Sequence, residues 1–339
     1  MSREARHEKL RELMDRRGFG ALLLQRPANF AWYTNGADNR VDHADPLGVA
    51  ALLFTADDEY ILTDNIEAPR MRGEETPDFE VLEHPWYGDP SDVIKEVAGE
   101  TLLGVDHPLE GATDVSQDVA SLRYVLDDEA IERYRRVGRD ANRAVSEAID
   151  SLPNYKIGER QVAARVAESC QRRGLFTPLL MAASEERMMR YRHPILRFPG
   201  TALGRMMMVV ICAERGGLYA NLTRIVLFEH PGEEVIRRQR ACENILLRTR
   251  DATLPGRTLA EVFEDCKRFY AEEGFPGEWK NHHQGGLTGY GSREVIATPA
   301  IDLEIEPGMA FAWNPSLTGA KAEETFILTD SGPEVITGA

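Results

Sequence analysis

The residue types that could do chemistry are concentrated in the second half of the chain, in four short patterns. These patterns are Tyr191-Arg192-His193-Pro194, Gly217 to Arg224, His282 to Tyr290, and the stretch from Glu306 to Thr325. An imidazole titrates near neutral pH and can pass a proton, while a carboxylate can orient that imidazole or hold a cation. His193, His283 and Glu323 are therefore the candidate catalytic residues. The first 125 residues contain no glycine-rich phosphate loop and no cluster of His or Cys, so no chemistry is predicted there.

Two of these patterns also have a purely structural interpretation. His282 and His283 lie in a segment that is predicted to be a strand, where side chains alternate between the two faces. One of the two would then point into a pocket, and the other would be structural. Glu323 could form an ion pair with Lys321 or Arg224 and take no part in catalysis.

The elements that must position these residues are segregated helices and strands rather than a strict alternation. Apolar residues at three- to four-residue spacing predict a long helix that begins near Asp127, where acidic residues favour a helix start. Further helices are predicted at 159–173, 233–250 and 258–273, and strands at 179–183, 206–213, 219–228, 309–313 and 325–328. This arrangement favours an α+β class with an antiparallel sheet.

In the first part of the chain, helical and strand patterns alternate, which predicts a compact α/β unit. Helices are predicted at 3–17 and 91–98, a hairpin at 50–54 and 60–62, and further strands at 21–24, 79–82 and 102–105.

Composition excludes several classes of function. The formal net charge of −16 opposes binding to nucleic acid or to an anionic membrane. The four cysteines show no CxxC pairing, which predicts reduced thiols and a cytoplasmic location. No apolar run approaches the 18 residues of a membrane span, so a soluble protein is expected.

Taken in order, the four patterns resemble the creatinase, prolidase and aminopeptidase P family, which has the pita-bread fold. The resemblance rests on the HP element at His193, the strand ending in Thr223-Arg224, the HxGH-like segment at His283, the EPGM at Glu306, and the xEET ending at Glu323. It covers the whole chain and implies a creatinase/prolidase-type N-terminal α/β domain at 1–125 and a pita-bread domain at 126–339. It also implies a homodimer.

Catalytic members of that family hold two divalent metals with two aspartates, one histidine and two glutamates. Carried over to this chain, the histidine is His283, or less well His282, and the last glutamate is Glu323. The other three positions fall on Val210 (or on Cys212 after a slip of two), Asn221 and Asn314. One carboxylate of the usual four remains, and neutral asparagines cannot offset the repulsion between two neighbouring dications. No cofactor is therefore expected, and a single Mn, Co or Zn ion on Cys212, His283 and Glu323 is the alternative.

Creatinase uses this scaffold without metal. By resemblance, His193 would be the proton-transfer group here, and Glu323 and His283 would position water or substrate. One departure is Thr223, which stands where creatinase has an acidic residue. The residues expected to line the substrate pocket are Asn221, Arg224, Tyr290, Arg293, Glu294 and Asn314.

Three hypotheses follow from the resemblance. The first is a hydrolase without a dinuclear centre that acts on a small C–N substrate, either an amide, a guanidine or an Xaa-Pro dipeptide. The second is a non-catalytic protein that binds a small molecule or another protein. The third is an Xaa-Pro peptidase with an unusual metal site.

Overall fold

The computed structural model describes residues 3–152 and 157–338. Contacts divide the chain into two units, Met1–Arg123 and Tyr124–Ala339, whereas the sequence places its boundary after residue 125. In the described part of the chain, no helix is both long and apolar enough to cross a membrane.

The first unit is a six-stranded mixed sheet with helices, as the sequence predicts. Its helices are α1 (Arg3–Arg17), α2 (Pro27–Tyr33), α3 (Ala68–Arg70), α4 (Ser91–Ala98) and α5 (Ser116–Leu122), with a π-helical turn at Met71–Glu75. Its strands are β1 (Ala21–Leu24), β2 (Ala50–Phe54), β3 (Glu59–Asp64), β4 (Glu80–His84), β5 (Leu103–Val105) and β6 (Thr113–Asp114). The strand order is β4-β3-β2-β1-β5-β6. The predicted β2–β3 hairpin is confirmed, and helix α2 is an element that the sequence patterns did not predict.

The second unit consists of helices and antiparallel sheets, and this confirms the α+β prediction. Its helices are α6 (Asp128–Asp150), α7 (Glu159–Gln171), α8 (Glu185–Met188), α9 (Glu233–Ala252) and α10 (Leu259–Glu272), with a 3-10 turn at Glu278–Asn281. Its strands are β7 (Phe176–Ser184), β8 (Met206–Arg215), β9 (Leu218–Leu227), β10 (Gly285–Thr288), β11 (Val295–Ile296), β12 (Ala310–Trp313), β13 (Ser316–Leu317), β14 (Ala320–Lys321), β15 (Glu324–Thr329) and β16 (Gly332–Val335). They form a three-stranded sheet β7-β8-β9, a five-stranded sheet β11-β10-β12-β15-β16, and the hairpin β13-β14.

Helix α6 begins where the sequence predicts, because Asp127 caps it. The Asp127 carboxylate accepts a hydrogen bond from the backbone N–H of Ala130 at 2.9 Å, which satisfies one of the unpaired amides of the first turn. Its predicted apolar face is buried at Tyr134, Val137 and Ala141. The helix packs on α7 and on strands β8 and β9.

Strand β12 is fixed by an extensive core cluster of the second unit. Phe311 and Trp313 point to the same side of the strand and stack with their ring planes 4° apart. Both pack among residues of α9 and α10, and the indole N–H of Trp313 donates to Thr253 Oγ1 at 3.0 Å. The end of β12, where Asn314 follows, is therefore held rigidly.

Gly138 marks a close approach between α6 and the C-terminal segment. A Cβ atom at this position would lie 2.4 Å from the backbone carbonyl oxygen of Ile336. We expect Gly138→Ala to destabilise the second unit by about 1–3 kcal/mol, since overpacking against backbone outweighs the gain in helix propensity. Chemical denaturation would measure the change in unfolding free energy.

Gly73→Ala is the matched control, because a Cβ atom there meets nothing within 4 Å. An unfolding free energy for Gly138→Ala that equals or exceeds that of the control would contradict the predicted clash.

Candidate active site

The register of three strands brings the predicted site residues together. Gly285 of β10 pairs with Trp313 of β12, and Trp313 pairs with Glu324 of β15. His283 precedes the first of these residues by two positions, Asn314 follows the second, and Glu323 precedes the third. The three side chains therefore leave neighbouring strands at one end of the sheet.

These residues line a pocket of about 280 Å³ in the second unit, a volume suited to a small ligand. The lining residues are Pro178, Leu179, Met181, His193, Val210, Ile211, Cys212, Asn221, His283, Ser292, Arg293, Asn314, Lys321 and Glu323. The pocket thus contains seven residues that the sequence predicts for the site: His193, Cys212, Asn221, His283, Arg293, Asn314 and Glu323.

The carboxylate of Glu323 is the most deeply held charge in this pocket. Arg293 Nη2 donates to its Oε1 at 2.8 Å, and Thr223 Oγ1 donates to its Oε2 at 2.8 Å. Lys321 Nζ lies 3.2 Å from the same Oε2. Burial alone would raise the pKa of Glu323, but the two cations and the hydrogen bonds bring that pKa down to about 2. Glu323 is therefore ionised throughout the physiological range.

Three imidazoles meet beside this carboxylate. His193 Nε2 and His282 Nε2 lie 2.9 Å apart and share one hydrogen bond, and the rings of His282 and His283 stack with centroids 4.5 Å apart. The prediction that His282 and His283 occupy opposite faces of a strand is wrong. Strand β10 starts only at Gly285, so both histidines lie on irregular backbone, where side chains need not alternate.

All three imidazoles are neutral at pH 7. Burial, assisted by the Lys321 ammonium, lowers the pKa of His282 to about 3. Burial and the Arg293 guanidinium lower the pKa of His283 to about 4, and burial together with Lys321 also lowers the pKa of His193. Neutral imidazoles can accept a proton or bind a metal ion.

The hydrogen bond between His193 and His282 fixes which nitrogen can act as a base. When His193 donates its Nε2 proton to His282, His193 Nδ1 carries the free lone pair and can take a proton from water. Once Nδ1 has taken that proton, His193 is an imidazolium and can give the proton to a leaving group. In this tautomer His193 can therefore serve both halves of a proton transfer.

The side chains present do not fit the two divalent metals of the catalytic family members. Among the five positions carried over from the resemblance, Glu323 supplies the single carboxylate, and both of its oxygens already face the chain's own cations. Two unit charges 4 Å apart interact by about 4 kcal/mol at an effective dielectric constant of about 20, and a dication doubles that repulsion. Lys321 and Arg293 therefore occupy, electrostatically, the place of the metal pair.

The described residues do contain a group of three potential ligands, which differs from the predicted one. Donor atoms of His193, His282 and His283 all lie within 4.8 Å of one another. Cys212 is not part of this group, and burial raises the pKa of its thiol to about 12.

Three residues predicted for the pocket lie outside its lining. Arg224 donates to Asn142 Oδ1 at 2.6 Å and to backbone carbonyls, so it supports strand β9 against the C-terminal segment. Tyr290 is buried and its hydroxyl accepts from Arg133 Nη2 at 2.7 Å. The backbone N–H of Glu294 donates to Leu287 O, which places Glu294 in the turn after β10.

The sequence predicted Lys321 only as an ion-pair partner of Glu323, which is confirmed, and His282 only as the weaker alternative to His283. Lys321 stands two residues before Glu323, the spacing that puts two side chains on one face of an extended segment, and that spacing is the signal that could have found it. The contact of His282 with His193 depends on two loops 89 residues apart and leaves no local signal.

Two family models match the chain. Residues 132–330 match metallopeptidase family M24, and residues 6–137 match the creatinase/prolidase N-terminal domain. The chain is 23% identical over 361 residues to the Xaa-Pro dipeptidase of Pyrococcus furiosus, a match that covers 98% of this chain and 97% of that protein.

Solved structures of two such proteins are similar along their whole length. For the Xaa-Pro dipeptidase from Bacillus anthracis the TM-score is 0.84 at 18% identity, covering 100% of this chain and 98% of the other. For the prolidase from Pyrococcus horikoshii OT3 the TM-score is 0.83 at 19% identity, covering 99% and 98%. These likenesses confirm the predicted pita-bread fold and its N-terminal domain. Because the first family model spans more than half of the sequence, this chain belongs to metallopeptidase family M24.

Proposed function

We propose that this chain hydrolyses a C–N bond in a small substrate without a dinuclear metal centre. His193 is the proton-transfer group, and His283 and Glu323 position water and substrate. The observation that carries this proposal is the pairing of Glu323 with Lys321 and Arg293 next to neutral imidazoles.

The pairing supports the proposal because it disfavours binding of a metal pair and leaves proton transfer by an imidazole possible. A carboxylate neutralised by two internal cations has little negative charge left to attract a metal pair. Burial and the same cations lower the pKa of the imidazoles, and a neutral imidazole is the form that takes a proton from water. Asn221 and Asn314 keep polar groups in the pocket, and Asn314 Oδ1 is buried without a hydrogen-bond partner among the described residues.

A second candidate function is an Xaa-Pro peptidase that uses one metal ion. The group of His193, His282 and His283 favours it, since three histidines and an open position form a known type of catalytic zinc site. Lys321 opposes it, because its ammonium lies close enough to lower the pKa of all three imidazoles. Under the first proposal this histidine group serves proton transfer instead.

Metal content separates the two candidates. We expect protein purified without chelator to hold well below one equivalent of Mn, Co or Zn per chain, because one paired carboxylate cannot offset two dications. Elemental analysis by mass spectrometry measures this content, and activity should survive treatment with EDTA.

Two bound equivalents would overturn the proposal. One equivalent that disappears in His282→Ala would support the single-ion peptidase in its place.

The role of His193 is tested by removing its imidazole. We expect His193→Ala to lower turnover by about 10²- to 10⁴-fold, the usual contribution of a general acid–base group, while the fold is kept. The measurement is a turnover screen over amides, guanidino compounds and Xaa-Pro dipeptides, with ligand binding followed by thermal shift.

His230→Ala is the matched control, since His230 is exposed and outside the pocket lining, where its side chain contacts Glu233 at 3.4 Å and accepts from the backbone N–H of Gly232 at 3.2 Å. Equal turnover in both variants would show that His193 is not catalytic. A ligand that binds to the wild-type chain and is never hydrolysed would favour the non-catalytic alternative.

The pH profile follows from the sign of the shift at His193. Its pKa lies below the ordinary value of 6.5, so the basic form persists below that pH and protonates only in more acidic solution. We expect kcat/KM to stay level from pH 8 to 6.5 and to fall below it. Glu323, with a pKa of about 2, adds nothing to this limb. An acidic limb centred above pH 7 would contradict the assignment.

A further inference from the structure

The charges of the side chains that line the pocket do not sum to zero. Among the described lining residues, Glu323 carries one negative charge, and Lys321 and Arg293 carry one positive charge each. The three neighbouring imidazoles cannot carry a negative charge and so cannot offset this excess. The pocket therefore holds a net charge of about +1 in surroundings of reduced dielectric, where an uncompensated charge acts strongly on a ligand.

Lys321 is the cation with unused hydrogen-bonding capacity. Its side chain is 5% exposed and lies on the short strand β14, next to Glu323. An ammonium has three N–H groups, and the ion pair with Glu323 Oε2 engages one of them among the described residues. The remaining N–H groups can donate to a ligand oxygen.

Arg293 has less freedom than Lys321. Its Nη2 donates to Glu323, its Nη1 donates to the backbone carbonyl of Ser292 at 2.6 Å, and its Nε is buried without a hydrogen-bond partner among the described residues. Two of its three nitrogens are therefore bound to the chain and fix the guanidinium against Glu323. Lys321, held by a single ion pair, is the cation with more N–H groups left for a ligand.

We propose that the Lys321 ammonium is the oxyanion-binding group of this site, and that its substrate is an amide rather than a guanidine. This inference rests on the proposed function. A guanidinium substrate would carry a third positive charge into a pocket that already has an excess of one. An amide enters neutral, and its carbonyl oxygen becomes negative as the reaction proceeds.

The reaction step balances with the groups that the pocket supplies. His193 takes a proton from water as the water oxygen bonds to the amide carbon, and the carbonyl π pair moves onto the oxygen. That oxyanion accepts hydrogen bonds from Lys321. The oxygen pair then re-forms the carbonyl, the C–N bond breaks, and the nitrogen leaves with the proton from His193. The immediate products are a carboxylic acid and an amine, and the acid then gives its proton to the amine or to solvent and becomes a carboxylate.

A fixed cation aimed at a developing negative charge is the usual source of such stabilisation. The carboxylate product has the same negatively charged oxygen, so it should bind at the same place. Binding of simple carboxylates therefore reports on the oxyanion site without any turnover.

The test compares acetate with acetamide and with methylguanidinium, which match it in size and differ in charge. Binding to the wild-type chain is followed by NMR of the histidine imidazoles, whose signals also report each ring's pKa. We expect acetate to bind at least 10-fold more tightly than either neutral or cationic probe. Tighter binding of methylguanidinium than of acetate would overturn the inference and needs no variant to detect.

Substitution of Lys321 is the second arm. Lys321→Met should abolish the preference for acetate, because the ammonium that binds the carboxylate is gone. Lys280→Met is the matched control, since it removes the same charge from an exposed position outside the pocket lining. Should Lys321→Met fail to fold with Glu323 left short of a partner, Lys321→Gln removes the charge and keeps an N–H donor beside Glu323.

The outcomes distinguish this inference from the proposed function. An unchanged preference for acetate in the Lys321 variants refutes the oxyanion site even if His193 is shown to be catalytic. Loss of that preference in a chain that hydrolyses nothing supports the anion site and refutes the hydrolase. Tighter binding of Zn²⁺ than of acetate at the three histidines refutes the charge argument itself.

Discussion

One buried carboxylate decides what the pocket of this protein can hold. Glu323 is 4% exposed, and a charge at that depth must be paired and hydrogen-bonded to be tolerated. Its partners, Lys321, Arg293 and Thr223, all come from the chain itself. Removing one partner of such a buried pair lowers the unfolding free energy by on the order of 3–5 kcal/mol, so each partner is needed to keep the others in place. The interactions that keep Glu323 ionised are the same ones that oppose divalent metal ions beside it.

The strands around this carboxylate are joined by contacts that involve the backbone. These contacts depend little on which side chains stand at the family's metal-ligand positions. Thr223 and Glu323 form an isolated bridge between β9 and the start of β15. Next to it, the backbone N–H of Asn221 donates to Thr325 Oγ1 at 2.8 Å, and that hydroxyl donates back to Asn221 O at 2.9 Å. A scaffold fixed in this way can keep the positions of the side chains while their chemistry changes. This is why family membership alone does not establish a metal-dependent reaction here.

Local patterns in the sequence predicted the parts of this structure that local physics determines. The cap at Asp127, the apolar face of α6 and the continuous apolar run of β8 each appear in the sequence as a spacing or a residue type. Contacts between distant segments left no such signal. The His193–His282 hydrogen bond joins two loops, and the position of His282 follows from where β10 begins. Lys321 lies between these cases, since its spacing from Glu323 was visible but its place in the pocket depended on strand register.

Under the proposed function, an ammonium and a guanidinium stand in place of metal ions, and this changes how the work of hydrolysis is divided. A metal ion both stabilises negative charge and acidifies bound water, whereas Lys321 and Arg293 can supply the charge alone. Water activation then falls to an imidazole, and the cations that favour an oxyanion also lower the pKa of that imidazole. A weaker base accepts a proton less readily, but a larger fraction of it stays deprotonated in more acidic solution. The distance between Lys321 and His193 therefore sets a compromise between stabilising the developing charge and generating the nucleophile.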